Sequence, residues 1–181
     1  MLVACEKPNN VDNGTEGTTP EPVVPENAIS TLTEDVTVHF TADSSLCFAD
    51  CFGDYYRTGL YMWQFYFMDF TTKEQLCIEV MVQPNGLEVP TGTFAATANI
   101  SQSNGMLLGA IDEDGYKVYS WYIRLASDAY TDASAPIAEG SMTITANADG
   151  TYTATFDLRD DAGNSIKGDY LGMPIPEDFR Q

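Results

Sequence analysis

The stretch LYMWQFYFMDF, Leu60 to Phe70, is the longest apolar run in the chain and decides how the rest is read. In an extended backbone Leu60, Met62, Tyr66, Met68 and Phe70 point to one side and Tyr61, Trp63, Phe65 and Phe67 to the other, so both faces are apolar. A half-exposed strand would alternate with polar residues; this one is expected to be covered on both faces. The wealth of aromatic residues favours a strand over a buried helix. Eleven residues with Gln64 and Asp69 among them fall well short of the ~20 apolar residues that a helical membrane span requires.

The chain of 181 residues must supply the covering layers, and a hydrophobic content of 44% suffices for one sizeable core. Eight Lys and Arg stand against 27 Asp and Glu, a formal charge of -19. Such a field repels phosphate backbones and anionic membrane surfaces, so nucleic acid is not an expected partner. The carboxylates are scattered through turns and strand faces, which reads as a solvated surface.

Working outward from the central run, most segments alternate with period two. Val36, Val38 and Phe40 alternate with Thr37, His39 and Thr41, which places His39 on a polar face. Leu46 to Tyr56 is less regular, with Gly53 and Asp54 as a turn or bulge. After the polar Thr71–Glu74 loop, Leu76, Ile78, Val80 and Val82 form one face and Cys77, Glu79 and Met81 the other, in a strand expected to pair antiparallel with the central one. Pro84, Asn85 and Gly86 close it. Val89 to Phe94 is a short strand entry, and Ala95 to Gly109 reads as a loop with at most a short strand. The Asp112–Gly115 turn leads to Tyr119, Trp121, Ile123 and Leu125 on one face and Val118, Ser120, Tyr122 and Arg124 on the other. Ser127 to Pro136 reads as a polar loop. The final third is the clearest: Met142–Ala146, Tyr152–Leu158 and Ile166–Tyr170, joined at Asp149-Gly150 and Asp160–Asn164, form a three-stranded meander.

Eight to ten short strands without helical periodicity predict an all-β domain, an antiparallel β-sandwich or alternatively a meander, calycin-like barrel. That domain spans 34–181. Before it, Glu6 to Thr33 is rich in Pro, Asn, Gly, Thr and Glu, and reads as a tether with a root-mean-square span of ~30 Å if it is a flexible coil.

The chain opens with MLVAC, and Leu2, Val3, Ala4 and Cys5 match a bacterial lipobox. The apolar and charged segments that precede such a box are missing before Met1, which implies an upstream start or a trimmed sequence. Together with the tether, Gly150-Thr151-Tyr152, Asp161-Ala162-Gly163-Asn164 and Gly168-Asp169-Tyr170-Leu171-Gly172, this resembles small Bacteroidetes lipoproteins of unassigned function. The resemblance implies that residues 1–4 are a signal-peptide remnant and that Cys5 is the lipidated first residue of a tether over 5–33. It further implies an outer-membrane lipoprotein of the bacterial cell envelope, held to the membrane through its lipid alone. Several acyl chains at ~0.8 kcal/mol per buried CH₂ make such an anchor durable.

Of the other three cysteines, Cys47 and Cys51 would lie ~13 Å apart along one strand and cannot bond to each other. Cys77 pairs with Cys47 or Cys51 across strands, or all three are buried free thiols. With one histidine and no CxxC pair, no structural zinc is expected. No GxSxG, HExxH, phosphate-loop or dinucleotide fingerprint occurs, so no cofactor, metal or catalytic residue is assigned. The aspartate-rich turns lack the spaced ligands of a calcium loop.

The remaining functional signal is aromatic. Tyr55, Tyr56, Tyr61, Trp121 and Tyr122 are the rings that would stack on a ligand if exposed together, against the plainer reading in which most aromatics, Trp63 and Trp121 above all, are core. The expected function is a non-catalytic, lipid-anchored envelope module that binds a glycan or a protein. An adhesion or assembly subunit, with an unpaired edge strand, is the first alternative, and a hydrolase with a carboxylate pair of raised pKa the second.

Overall fold

The computed structural model describes residues 25–126 and 131–180, in which every regular element is a β-strand. Cys5, the lipobox and the tether up to residue 24 lie outside the described residues. The strands are β1 (Val36–Thr41), β2 (Ser45–Gly53), β3 (Tyr61–Asp69), β4 (Glu74–Val82), β5 (Gly92–Thr97), β6 (Gly105–Leu107), β7 (Ala110–Ile111), β8 (Lys117–Val118), β9 (Trp121–Leu125), β10 (Thr131–Ala146), β11 (Tyr152–Asp160), β12 (Ser165–Gly172) and β13 (Ile175–Asp178).

Eleven of them form one sheet, β7 and β8 making a separate hairpin. Starting at the aromatic strand, β2, β3 and β4 pair antiparallel in sequence order, as do β10, β11 and β12. Two sets of strands bridge β4 to β10: β9 joins the start of β4 to the start of β10, while β5 and β6 join their later halves. Closure is by parallel pairing. β1 runs parallel to β12, β2 runs parallel to β13, and only Met173 and Pro174 separate β12 from β13, so the sheet curls back on itself as a barrel. The class is the all-β one expected, and of the two layouts the topology follows the barrel, with three parallel pairs, β1–β12, β2–β13 and β5–β6, that a meander would lack.

The inner face holds one continuous core. Val38 and Phe40 of β1, Trp63, Phe65 and Phe67 of β3, Leu76, Ile78 and Val80 of β4, and Phe156 and Leu158 of β11 are all buried in it. Phe67 is its aromatic centre, with ring centroids 5.0 Å from Phe156, 5.2 Å from Tyr170 and 5.9 Å from Phe40. Each such buried side chain contributes about 1.5–3 kcal/mol relative to exposure. The outer face of the same strands carries a second cluster, Leu60, Met62, Met81 and Leu107, with Phe52, Tyr56 and Tyr119 packed against it. The central run is therefore apolar on both sides because one side fills the barrel and part of the other is roofed by loops.

Several local expectations are corrected. β5 runs on to Thr97, past the expected strand entry, while the short strand allowed for within Ala95–Gly109 is β6. Thr131–Pro136, expected as loop, is the first part of the 16-residue β10, held by pairing with β9; residues 127–130 lie outside the described residues. Residues expected as the end of the tether are docked: Leu32 is buried, the Ile29 and Ser30 amides donate to the Asp161 carboxylate, and Ser30 Oγ donates to Asp160 at 2.6 Å. The disulfide alternative fails on strand parity. Cys47 and Cys51 stand opposite Phe67 and Trp63 and face inward, whereas Cys77 stands opposite Tyr66 and faces outward, and all three are free thiols.

Candidate ligand-binding cleft

At the end of β2 the strand bulges between Cys51 and Gly53, and the chain leaves the barrel for a loop that returns at Leu60. Asp54 organises this loop. Its Oδ1 accepts from the amides of Thr58 at 2.7 Å and Gly59 at 3.0 Å, and its carbonyl accepts from the Arg57 amide. These bonds close a turn that pushes Tyr55 outward, 62% exposed, and sets Arg57 at a φ of 57°. Tyr56 turns the other way. Its hydroxyl donates to Glu79 Oε1 at 2.7 Å on the outer face of β4, pinning the loop to the barrel.

The second wall comes from the C-terminus. Because β13 pairs with β2 in register, Asp178 opposite Cys51, and the Phe179 amide donates to the Cys51 carbonyl at 2.8 Å, the tail follows β2 to its end. There the Phe179 ring stacks on Phe52 at 5.2 Å with an interplanar angle of 15°. The rings continue edge to face, Phe52 to Tyr55 at 6.2 Å and Tyr55 to Tyr56 at 5.0 Å, as an aromatic ridge across the outer surface. Arg180 forks onto Asp178, with Nε and Nη2 each 2.8 Å from a carboxylate oxygen. Its aliphatic stem lies over Gly53, where any Cβ would stand 3.0 Å from Arg180 Cγ. A glycine at this bulge thus answers both a φ of 66° and the close approach of the tail.

Loop, strand end and tail enclose an open cavity of about 670 Å³ lined by Phe52, Tyr55, Tyr61 and Phe179 together with Asp54, Arg57 and Arg180. A volume of that order suits a small ligand. Two of the chain's eight Lys and Arg border it.

Of the aromatic residues singled out from sequence, Tyr55 and Tyr61 line the cavity and Tyr56 braces its loop. Trp121 and Tyr122 are placed elsewhere, in packing roles. Trp121 is 3% exposed, its indole N–H donates to the Val118 carbonyl, and Lys117 Nζ lies 5.5 Å from its ring centroid. Tyr122 is fully buried in the barrel core and donates to Glu74. His39 is exposed beside Asp169, as its polar face predicted. Phe179 and Arg180 were not foreseen, since nothing in EDFR alternates; only the parallel pairing of β13 brings them to the site.

Next to the ridge, Asp50, Gln64 and Glu79 form a row across β2, β3 and β4. Burial, reinforced by Glu177 on β13, pushes the Asp50 carboxyl up to about 6. Burial likewise raises Glu79, partly offset by the hydrogen bond from Tyr56. The two stand two strands apart, about 10 Å along the sheet. Glu79 is only 4% exposed, and neither lines the cavity. The aspartate-rich turns spend their carboxylates locally: Asp112 Oδ1 accepts from the Asp114 and Tyr116 amides, and Asp160 Oδ1 from those of Ala162 and Asn164.

Comparison with protein-family models, with curated proteins and with solved structures finds no match to this chain.

Proposed function

We propose that this chain is a non-catalytic, lipid-anchored module of the bacterial cell envelope that binds a glycan in the aromatic cleft. The observation that carries this reading is the exposed Tyr55 ring, standing beside the stacked Phe52–Phe179 pair over an open cavity of about 670 Å³. Sugar rings present apolar C–H faces that pack on such platforms while their hydroxyls bond to polar groups at the rim. Placement at the envelope rests on the LVAC box and its polar tether.

The strand-addition alternative is less favoured. The sheet path ends at β1 and β13, each with one unpaired edge, and on β13 the backbone donors that face outward alternate with Phe179 and fall at Asp178 and Pro176. Proline has no N–H to offer, a feature that blunts an edge. Hydrolysis is less favoured because the two raised carboxylates, Asp50 and Glu79, lie outside the cavity and Tyr56 covers one of them. A protein ligand finds some support in a second cavity of about 550 Å³ near Leu87, Val89, Tyr152, Met173 and Pro174, with Met173 72% exposed.

The test is affinity electrophoresis of the Cys5→Ser chain through a panel of polysaccharides, repeated with Tyr55→Ala and Phe179→Ala. Retardation that both variants abolish supports the cleft; a panel without retardation of the folded chain sinks the glycan reading. Anchoring is read separately: palmitate labelling of the chain expressed with its native upstream codons should disappear in Cys5→Ala.

A further inference from the structure

We infer that the ligand of the cleft is a sugar carrying an anionic substituent, a carboxylate or a sulfate ester, with its ring against Tyr55 and its charge on Arg57. This rests on the glycan-binding reading and narrows it. Arg124 pairs with Asp132, Lys167 with Asp157 and Arg180 with Asp178. Arg57, Lys73, Lys117 and Arg159 make no ion pair among the described residues, and of these four only Arg57, which is exposed, borders the cavity.

Its backbone adds a second, independent observation. At a φ of 57° Arg57 occupies the left-handed region that a side chain with a Cβ seldom enters. The same loop uses glycine at its other two left-handed positions, Gly53 and Gly59. Lys73, in the turn between β3 and β4, is likewise left-handed at a φ of 61° and unpaired, so what sets Arg57 apart is that its uncommitted charge stands at the cavity rim beside Tyr55.

Asp54 holds the loop amides, and Arg180 has given Nε and Nη2 to Asp178. A planar guanidinium with its fork free matches a carboxylate or sulfate bidentately, which a point charge cannot do. The acidic surface opposes an anion at long range, but at physiological salt that repulsion is screened beyond ~8 Å, whereas the Arg57 contact is made at hydrogen-bond distance.

The experiment is calorimetric titration of the full chain in EDTA at physiological salt with three tetrasaccharides: galacturonate, galactose and 6-sulfated galactose. The expected result is that one or both anionic sugars bind about tenfold or more tightly than the neutral one. Arg57→Gln should erase that preference while sparing the neutral sugar, Arg57→Lys should keep part of it, and Tyr55→Ala should weaken all three. Which anion binds tighter names the substituent. Should Arg57→Gln unfold, Arg57→Gly, whose backbone suits the loop, carries the same test. Equal affinity for all three, or a preference that survives loss of Arg57, overturns the anionic inference and leaves the glycan reading standing. No binding of any of the three overturns the anionic inference, and the polysaccharide panel then decides the glycan reading by itself.

Discussion

Tyr56 donates its hydroxyl to Glu79 across 2.7 Å, and this one bond ties the cleft loop to the outer face of the barrel. Glu79 is 4% exposed, and Ser120 Oγ accepts from its backbone amide, so the strand beneath is fixed. Tyr56→Phe would leave a buried carboxylate without its donor, at a cost of about 1–3 kcal/mol. Tyr55 and Arg57 flank Tyr56, so ligand affinity should fall with stability even though Tyr56 does not line the cavity. Urea unfolding and ligand titration of the same variant measure the two effects; an unchanged urea midpoint would remove Tyr56 as the brace.

Acid sensitivity should centre on Asp69, at the end of β3. Its burial would raise the carboxyl, but hydrogen bonds from the Ser44 and Ser45 hydroxyls and the Thr71 and Thr72 amides outweigh this and hold it down to about 2. A folded value below the unfolded one contributes stability above the unfolded value, and that contribution is lost as pH falls through about 4 toward about 2. The linked contribution is about 2 kcal/mol. Denaturant midpoints taken from pH 5 to pH 2 should drop in the parent and drop less steeply in Asp69→Asn, which should be the less stable of the two at pH 7.

Asp50 works in the opposite sense. Its folded value, about 6, lies above the unfolded one because burial and Glu177 disfavour its charge. The linked stability is therefore present below about pH 4 and is lost as pH rises through about 6. Asp50→Asn should stabilise the chain at pH 7 by about 1 kcal/mol or less, the group being partly solvated. Its gain over the parent should vanish by pH 4, which thermal melts at the two pH values would show.

Much of the fold was legible because strand alternation is local information. Met142, Ile144, Ala154, Phe156, Leu158 and Ile166 announced their inward faces, and all are in the core. The first half of β10 was not legible. Its residues, Thr131 to Pro136, have loop composition, and their strand conformation is imposed by β9 rather than by propensity. The cleft divides the same way. Tyr55 and Tyr61 were conspicuous as aromatics beside a turn, whereas Phe179 and Arg180 reach the site through a parallel pairing 127 positions apart in the chain, Ile175 to Phe48, that no local pattern encodes.

The parallel seam between β1 and β12 should be intolerant of side chains at Gly168. This residue stands opposite Val38 with a φ of 150°, and an added Cβ would overlap the Val38 carbonyl oxygen. Neither partner can yield, since both are backbone in a ladder. Gly168→Ala should cost more than about 3 kcal/mol, beyond the usual range for a single substitution. By contrast Gly150→Ala, at a φ of 87° in an open turn with no atom near its Cβ, meets only the strain of its backbone, about 1 kcal/mol. Equal melting temperatures for the two variants would mean that the seam is looser than its register implies.

Strand parity makes a last claim, on the thiols. Cys47 and Cys51 face the core and Cys77 the outer surface, so oxidation cannot join Cys77 to either without reversing a strand. Burial also pushes the Cys77 thiol up to about 12, with Glu79 adding to the effect, which leaves almost no reactive thiolate at neutral pH. In the Cys5→Ser chain a thiol reagent at pH 8 should label none of the three cysteines at an appreciable rate while the chain is folded, and all three after denaturation. Mild oxidant should leave the same three labelled on denaturation. Recovery of one labelled thiol in place of three would mean that two had joined and would contradict the register of β2, β3 and β4.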